Sequence, residues 1–349
     1  MKNLWRSRAF KIFRVSASVM FTAYLAFLVG RSIQTYRLSN GEMLSENVAD
    51  YKKNYYFTFG HVKEKEAIQL DSNLVYYVDY SKIKSLGVSN QLVYSPVTLA
   101  LNAIRSYQKW ILNQDTYERE VFLANANWLV ENINDKGEWI LTQDVSVGQY
   151  TVKAPWCSGL AQGLGISVLA RAYGETGHLA YAETARKALA PFYTDITAGG
   201  VRTTNEFGVF YEEYPLPENP THVLNGFVYS LFGLYDLYLF DNNTEALALF
   251  QEGINGLQNA LPLFDTGDWT LYSLNRESNL RNHWNYCSPW YQKLHTNQVK
   301  ALYNITGQET FRTYAVKFEN YRDNSSKNYI IYPAYIAYTD FVWLVRKIS

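Results

Sequence analysis

Two short stretches of this chain hold side chains able to move protons. Residues 210–215 read FYEEYP, two carboxylates and two phenols in six positions ending in a proline. If extended, the stretch alternates faces and puts Glu213 on the side of Tyr211. A carboxylate held in an aromatic, poorly hydrated loop has its pKa raised, which suits proton transfer near neutral pH. The competing reading is an edge strand whose Glu212 and Glu213 face water, and the spacing alone favours it. Further along, Tyr272, Tyr286, Tyr291 and His295 gather at or before a helix start. Pro289 suits a first helical position, and Tyr291 and His295, four apart, then share one face. Such a histidine is either a structural hydrogen-bonding residue or a base. Between the two stretches, Asn225-Gly226 opens an apolar run. Gly226 and Gly233 allow a neighbouring helix or ligand to come close.

Helical hairpins position these groups. Apolar residues recur at helical spacing over 97–113 and 117–133, broken by Asn113-Gln114-Asp115. The unit returns over 158–173 and 178–192 about GETG, over 223–240 and 244–260 about DNN, and over 294–305 and 308–322 about TGQ. The first helix of each pair carries Tyr107, Tyr173, Tyr235 or Tyr303, recurring every 62 to 68 residues. Each hairpin needs neighbours to bury its apolar face, so the pairs close into an (α/α) barrel or toroid, or stack as an open solenoid. Long connections at 134–157, 193–222 and 261–293 carry the Tyr, Trp and charged residues, as functional loops do. Before the helices, NYYFTFG and LVYYVDYSKI read as strands. The expected organisation is a basic segment 1–49, a small β-rich portion 50–95, and a mainly α toroid domain 96–349.

Composition removes other classes. The 349 residues are 48% hydrophobic and 18% charged, with 32 basic and 32 acidic side chains. Such a chain buries a core, and its zero net charge gives no field for nucleic acid. Aromatic residues make up 16%, with 30 tyrosines; most are read as packing between helices, a minority as phenols of a sugar cleft. Cys157 and Cys287 are too few for a disulfide framework and lack the spacing of a zinc site. No phosphate-cradling, dinucleotide or metal-ligand motif stands out, so no cofactor and no metal is expected. Every charged residue before Glu42 is basic (Lys2, Arg6, Arg8, Lys11, Arg14, Arg31, Arg37), around the apolar run VSASVMFTAYLAFLVG. That run is shorter than the ~20 residues a spanning helix needs. A short signal anchor, an amphipathic helix on an anionic bilayer, and a basic helix packed on the protein body all fit. The expected localisation is membrane-associated through this segment, otherwise cytoplasmic.

The segments APWCSGLAQGLGISVLARAY, GGVR, FYEEYP, VLNGFVYSLFGLYDL, LPLFDTGDWTLYSL and PWYQKLHTNQVKALYNITG run in order across 154–307. This series resembles the C-terminal domain of the D-glucuronyl C5-epimerases, which convert D-glucuronic to L-iduronic acid in heparan-type polysaccharides. The resemblance implies an (α/α) barrel after a β-rich part, an isomerase of glycosaminoglycan biosynthesis, and a homodimer. It implies an acid/base pair of Glu213 and Tyr291, with Tyr214 beside the first and Tyr272 completing the phenol cluster. Ser288 stands where the family's animal members carry an Arg, so the carboxylate anchor is left to Arg276, Arg281 or Arg202. Epimerisation at C5 removes a proton α to a carboxylate and returns one to the opposite face, so two acid/base groups must flank the ring. Donors aimed at the enolate-like intermediate supply much of the rest; Arg202, Tyr214, Tyr272 and His295 are the candidates, with Asn225 and Tyr211 as further substrate contacts. Two other readings compete: a uronate polysaccharide lyase, which shares the first proton abstraction, and a non-catalytic glycan-binding solenoid.

Overall fold

The computed structural model describes residues 51–57 except 53, then 67–82, 92–147, 150–275 and 286–323, with a few positions between 19 and 30. They are mainly helical. The turns explain why hairpins form. Helix α1 (Pro96–Asn113) ends at Gln114, whose left-handed backbone (φ 59°) turns the chain while its N–H bonds Trp110 O. Asp115 then caps α2 (Thr116–Glu131), accepting from the N–H groups of Tyr117 and Glu118. Gly177 ends α3 (Gly159–Thr176) in the same left-handed way, before α4 (Leu179–Lys187) and the single turn α5 (Ala190–Tyr193). Asn242 ends α6 (Leu224–Asp241), and Asn243 caps α7 (Thr244–Phe264). Gly307 ends α8 (Pro289–Thr306), and α9 (Glu309–Asp323) follows. All four expected breaks are therefore turns built by residues suited to them. Helix α8 starts earlier than the 294 expected, because Ser288 caps it with a hydroxyl that accepts the Tyr291 N–H at 3.3 Å.

The first helices of the pairs pack in a row, α1 on α3, α3 on α6 and α6 on α8, with α2, α4, α7 and α9 each against its own partner. Helix α3 is buried from Gly159 to Ala172 and α6 from Leu224 to Leu234 without a break, so neither shows water a face. Their crossing is close because Gly163 and Gly233 lack side chains. A Cβ on Gly163 would strike the Tyr229 carbonyl, and one on Gly233 would strike Gly163 itself.

The N-terminal strands are partly as expected. Strands β1 (Ile68–Leu70), β2 (Tyr76–Asp79) and β3 (Leu92–Val93) form an antiparallel sheet, with Val78 opposite both Ile68 and Val93. LVYYVDYSKI supplies β2 and then a 3-10 turn over Tyr80–Lys82. NYYFTFG is a correction: its described residues form no strand. Tyr55, Tyr56 and Phe57 are all buried, which a half-buried pleated strand does not permit, and Tyr56 stacks on Phe232 at 3.9 Å. The long connections contain hairpins, β4 (Val145–Val147) with β5 (Tyr150–Val152), and β6 (Arg202–Asn205) with β7 (Gly208–Tyr211). Among the described residues no helix is long and apolar enough to cross a membrane. The expectations for 1–49 fall almost wholly outside those residues.

Candidate active site

Glu212 and Glu213 are both buried, which overturns the solvated edge strand. Strand β7 ends at Tyr211, and the next two residues are pinned by backbone bonds. Glu212 N–H donates to Val201 O at 2.7 Å, and Glu212 O accepts the Gly159 N–H at 2.8 Å. The Ser158 hydroxyl, which caps α3, donates to Glu213 O at 2.8 Å. The two side chains then part. Glu212 accepts from the hydroxyls of Thr203 (3.0 Å) and Thr221 (3.2 Å) and from His222 N–H (2.8 Å), with His222 Nδ1 2.6 Å away. It is a fully satisfied structural acid.

Glu213 meets a different environment. Its carboxylate lies over Gly226, where any Cβ would collide with it. It accepts from Asn225 Nδ2 at 3.3 Å and from the Tyr214 hydroxyl. Burial pushes its pKa up to about 7; the bonds from Tyr214 and Asn225 oppose the rise, and the Glu212 charge adds to it. This is a carboxyl poised near neutrality, as a proton-transfer group requires.

The other phenols come from the loop before α8 (Tyr272) and from the first turn of α8 (Tyr291). Tyr272 is held at the start of α6 by Leu224 N–H donating to Tyr272 O at 3.1 Å. Its ring packs edge-on against Tyr291 at 4.9 Å, and its hydroxyl is within hydrogen-bond reach of both Tyr214 and Tyr291. Burial raises the Tyr291 pKa to about 12, with the Glu213 charge contributing. Burial and Glu213 also push Tyr214 and Tyr272 well up, so these phenols are protonated at neutral pH. Glu213 as base and a protonated tyrosine as acid can thus coexist in one site.

Of the residues singled out in the sequence, Glu213, Tyr214, Asn225, Tyr272 and Tyr291 come together. His295 lies on the Tyr291 face of α8, ring centres 6.2 Å apart. Burial lowers its pKa to about 3, so it is a neutral imidazole and no cation. Arg202 and Tyr211 are not brought to the cluster. The Arg202 guanidinium is bidentate on Glu252, and the Tyr211 hydroxyl donates to Leu249 O at 2.8 Å. Arg276 and Arg281 lie outside the described residues.

Other residues went unnoticed in the sequence. Tyr229, buried in α6 one turn after Asn225, is acted on by the charges of Arg105, Tyr291 and Glu213; its spacing from Asn225 and Gly226 was a readable signal. Gln298 donates to Asn225 O at 3.0 Å. Asn225 Oδ1, His295 Nε2, Gln298 Oε1 and both polar atoms of Asn297 are buried without a hydrogen-bond partner among the described residues. Unpaired polar atoms gathered on α6 and α8 are what a polar ligand would satisfy.

A chain of helical hairpins with a buried carboxyl near neutrality among protonated phenols defines a class able to move protons on a polar ligand. Residues 133–320 match the family described as D-glucuronyl C5-epimerase C-terminus, more than half of the sequence, and the chain belongs to that family. It is 35% identical over 218 residues to the D-glucuronyl C5-epimerase of Caenorhabditis elegans, covering 58% of this chain and 33% of that protein. It is 31% identical over 173 residues to an uncharacterized protein of Methanocaldococcus jannaschii, 48% of this chain and 53% of that one. The chain therefore spans about a third and about half of the length of these curated relatives.

Proposed function

We propose that this chain is an epimerase converting D-glucuronic to L-iduronic acid residues within a heparosan- or heparan-like polysaccharide. Glu213 takes the C5 proton from one face, Tyr291 delivers one to the other, and no cofactor takes part. The observation that carries the reading is the Glu213 carboxyl raised to about 7 beside phenols that keep their protons. Abstraction places negative charge on the substrate carboxylate, and hydrogen-bond donors aimed there stabilise it; Tyr272 is suited to that part, while Tyr214 gives its one proton to Glu213. Arg105, whose charge acts on Tyr229, adds positive potential where Arg202 is occupied by Glu252. In this reading the row of first helices closes into an (α/α) toroid around the cleft.

The test is incubation with heparosan in deuterated water, followed by proton NMR. Deuterium at C5 of an unbroken chain, with iduronate signals, is the expected result. A new ultraviolet absorbance from an unsaturated sugar would instead make the protein a lyase. No exchange at all would leave a glycan-binding protein and end the epimerase reading.

A further inference from the structure

Behind Tyr291, four buried side chains form a closed set of hydrogen bonds: Thr270, Cys287, Gln292 and His295. The Thr270 hydroxyl oxygen lies 2.8 Å from Gln292 Oε1, 2.9 Å from His295 Nδ1 and 2.9 Å from Cys287 Sγ. A hydroxyl has one proton to give and two lone pairs to receive, so its neighbours determine where the hydroxyl and imidazole protons sit; the Cys287 thiol has a second acceptor in Gln292 Oε1 at 3.7 Å.

The Gln292 amide is oriented from both ends. Its Nε2 donates to Phe318 O at 3.1 Å, and its Oε1 accepts the Thr270 backbone N–H at 2.9 Å. Oε1 is therefore an acceptor without a proton, and two oxygens 2.8 Å apart need one between them. The Thr270 hydroxyl must supply it. Both its lone pairs then face Nδ1 and Sγ. Burial holds the Cys287 thiol protonated, its pKa up to about 12, so it can fill one lone pair. The neutral imidazole fills the other by donating from Nδ1.

We infer that His295 carries its single proton on Nδ1 and presents Nε2 as a bare acceptor for a sugar hydroxyl of the substrate, with Thr270 and Gln292 as the residues that position it. The ligand half of this inference rests on the epimerase reading; the tautomer half does not. Nε2 has no partner among the described residues, and Gln298, three positions on along α8, also holds an unpartnered polar atom, Oε1. A site built to bond a hydroxyl discriminates against a ligand that lacks it, because its own acceptor is then left unpaired. His295 thereby changes from a stabiliser of the developing carboxylate charge, which needs a donor, to a reader of the sugar's hydroxyls.

The tautomer is read by long-range proton–nitrogen correlation NMR on protein with 15N-labelled histidine. The chain has five histidines, and His295→Gln identifies the signal by its loss. The expected pattern has Nδ1 protonated and Nε2 as the far-downfield nitrogen; the reverse pattern overturns the inference. Saturating heparosan hexasaccharide should move Nε2 upfield as it accepts a hydrogen bond, and an unmoved Nε2 overturns the acceptor role. Thr270→Val removes the hydroxyl and should redistribute the proton between the ring nitrogens, whereas Thr270→Ser should not; the wild-type spectrum decides the point even if Val fails to fold. In kinetics, His295→Phe should raise KM about tenfold with kcat little changed, as for loss of a ground-state hydrogen bond; an unchanged KM counts against it. Failure of the epimerase reading shows separately, as absence of C5 exchange while the nitrogen signals stay as expected.

Discussion

Helix α6 serves two buried acids among tyrosines, and they have opposite fates. Near its C-terminal end, Asp236 forms a two-pronged ion pair with Arg171, 2.5 and 3.0 Å, with both side chains fully buried. Tyr56 donates to the same carboxylate at 2.6 Å, and the Arg171 guanidinium lies 4.8 Å from the centre of the Tyr55 ring. Burial, the largest single influence, would lower the Arg171 pKa, but the Asp236 charge and its hydrogen bond, with Tyr56 and Tyr107, together outweigh it. At the helix's other end, the groups acting on Glu213 among the described residues are Tyr214, Asn225 and Glu212, none of them a cation. Tyrosine around a carboxylate is thus no signature of chemistry. What distinguishes the two clusters is whether the charge is paired. A paired buried acid holds elements together, while an unpaired one keeps a proton it can trade.

The sharpest break of this comparison is Glu213→Gln. It should lower C5 exchange by about 10²–10⁴-fold while making the fold more stable at alkaline pH. The folded pKa of about 7 stands above the ordinary 4.5, so between those values the folded state holds more protons than the unfolded one. The contribution to stability is present in acid and is lost as pH rises through 7, leaving a penalty of about 3 kcal/mol above it. Glutamine removes the penalty. Denaturant unfolding at pH 8 should place the variant above the wild type, and at pH 4 the two should converge. A variant less stable at pH 8 would mean that Glu213 is a structural acid like Glu212. The wild-type rate should rise with pH through about 7 as the base ionises.

Asp236→Asn should act in the other direction, costing about 3–5 kcal/mol of stability by stranding the Arg171 charge. Exchange per folded molecule should stay near wild type, read at a temperature where the variant is folded. A large loss of rate with stability intact would place the second cluster in the chemistry.

The hairpins were legible because their breaks are local. Gly177, Asn242 and Gly307 take left-handed backbone, and such residues announce it in the sequence; Gln114 takes it too, and there the Asn113 and Asp115 on either side gave the signal. The two acids were not distinguishable on the same terms. Asp236 finds its cation 65 positions away, and Glu213 is held by the serine that caps α3 and lies against a glycine of α6. Motif resemblance named Glu213, Tyr214, Tyr272 and Tyr291 together, and the fold brings them together. Spacing could not see that Glu252 occupies Arg202. Nor could it see that Tyr55, Tyr56 and Phe57 are a buried plug, since aromatic runs resemble strands until their burial is known.

Gly226→Ala tests the room beneath Glu213. The new methyl would overlap the carboxylate, so the side chain must shift, and a displacement of about 1 Å at a reacting group costs about 10²-fold. Exchange should fall by that order with the fold intact by circular dichroism. Unchanged exchange would mean that Glu213 acts from another rotamer.

The finest test makes one chemical change at both ends of α6. Tyr56→Phe and Tyr214→Phe each delete a phenol oxygen that donates to a buried carboxylate. At Asp236 the loss should appear as stability, about 1.5–3 kcal/mol for a bond to a charged group, with the pH profile of exchange unmoved. At Glu213 the same loss should appear chiefly as titration. Tyr214's bond lowers the Glu213 pKa, so without it the carboxyl is harder to ionise and the rising limb of the rate profile moves to higher pH. The direction is what matters: a limb moving to lower pH would show that Tyr214 holds the protonated form instead. If both variants changed only stability, the unpaired acid would be doing the same work as the paired one, and the contrast between the two ends of the helix would fail.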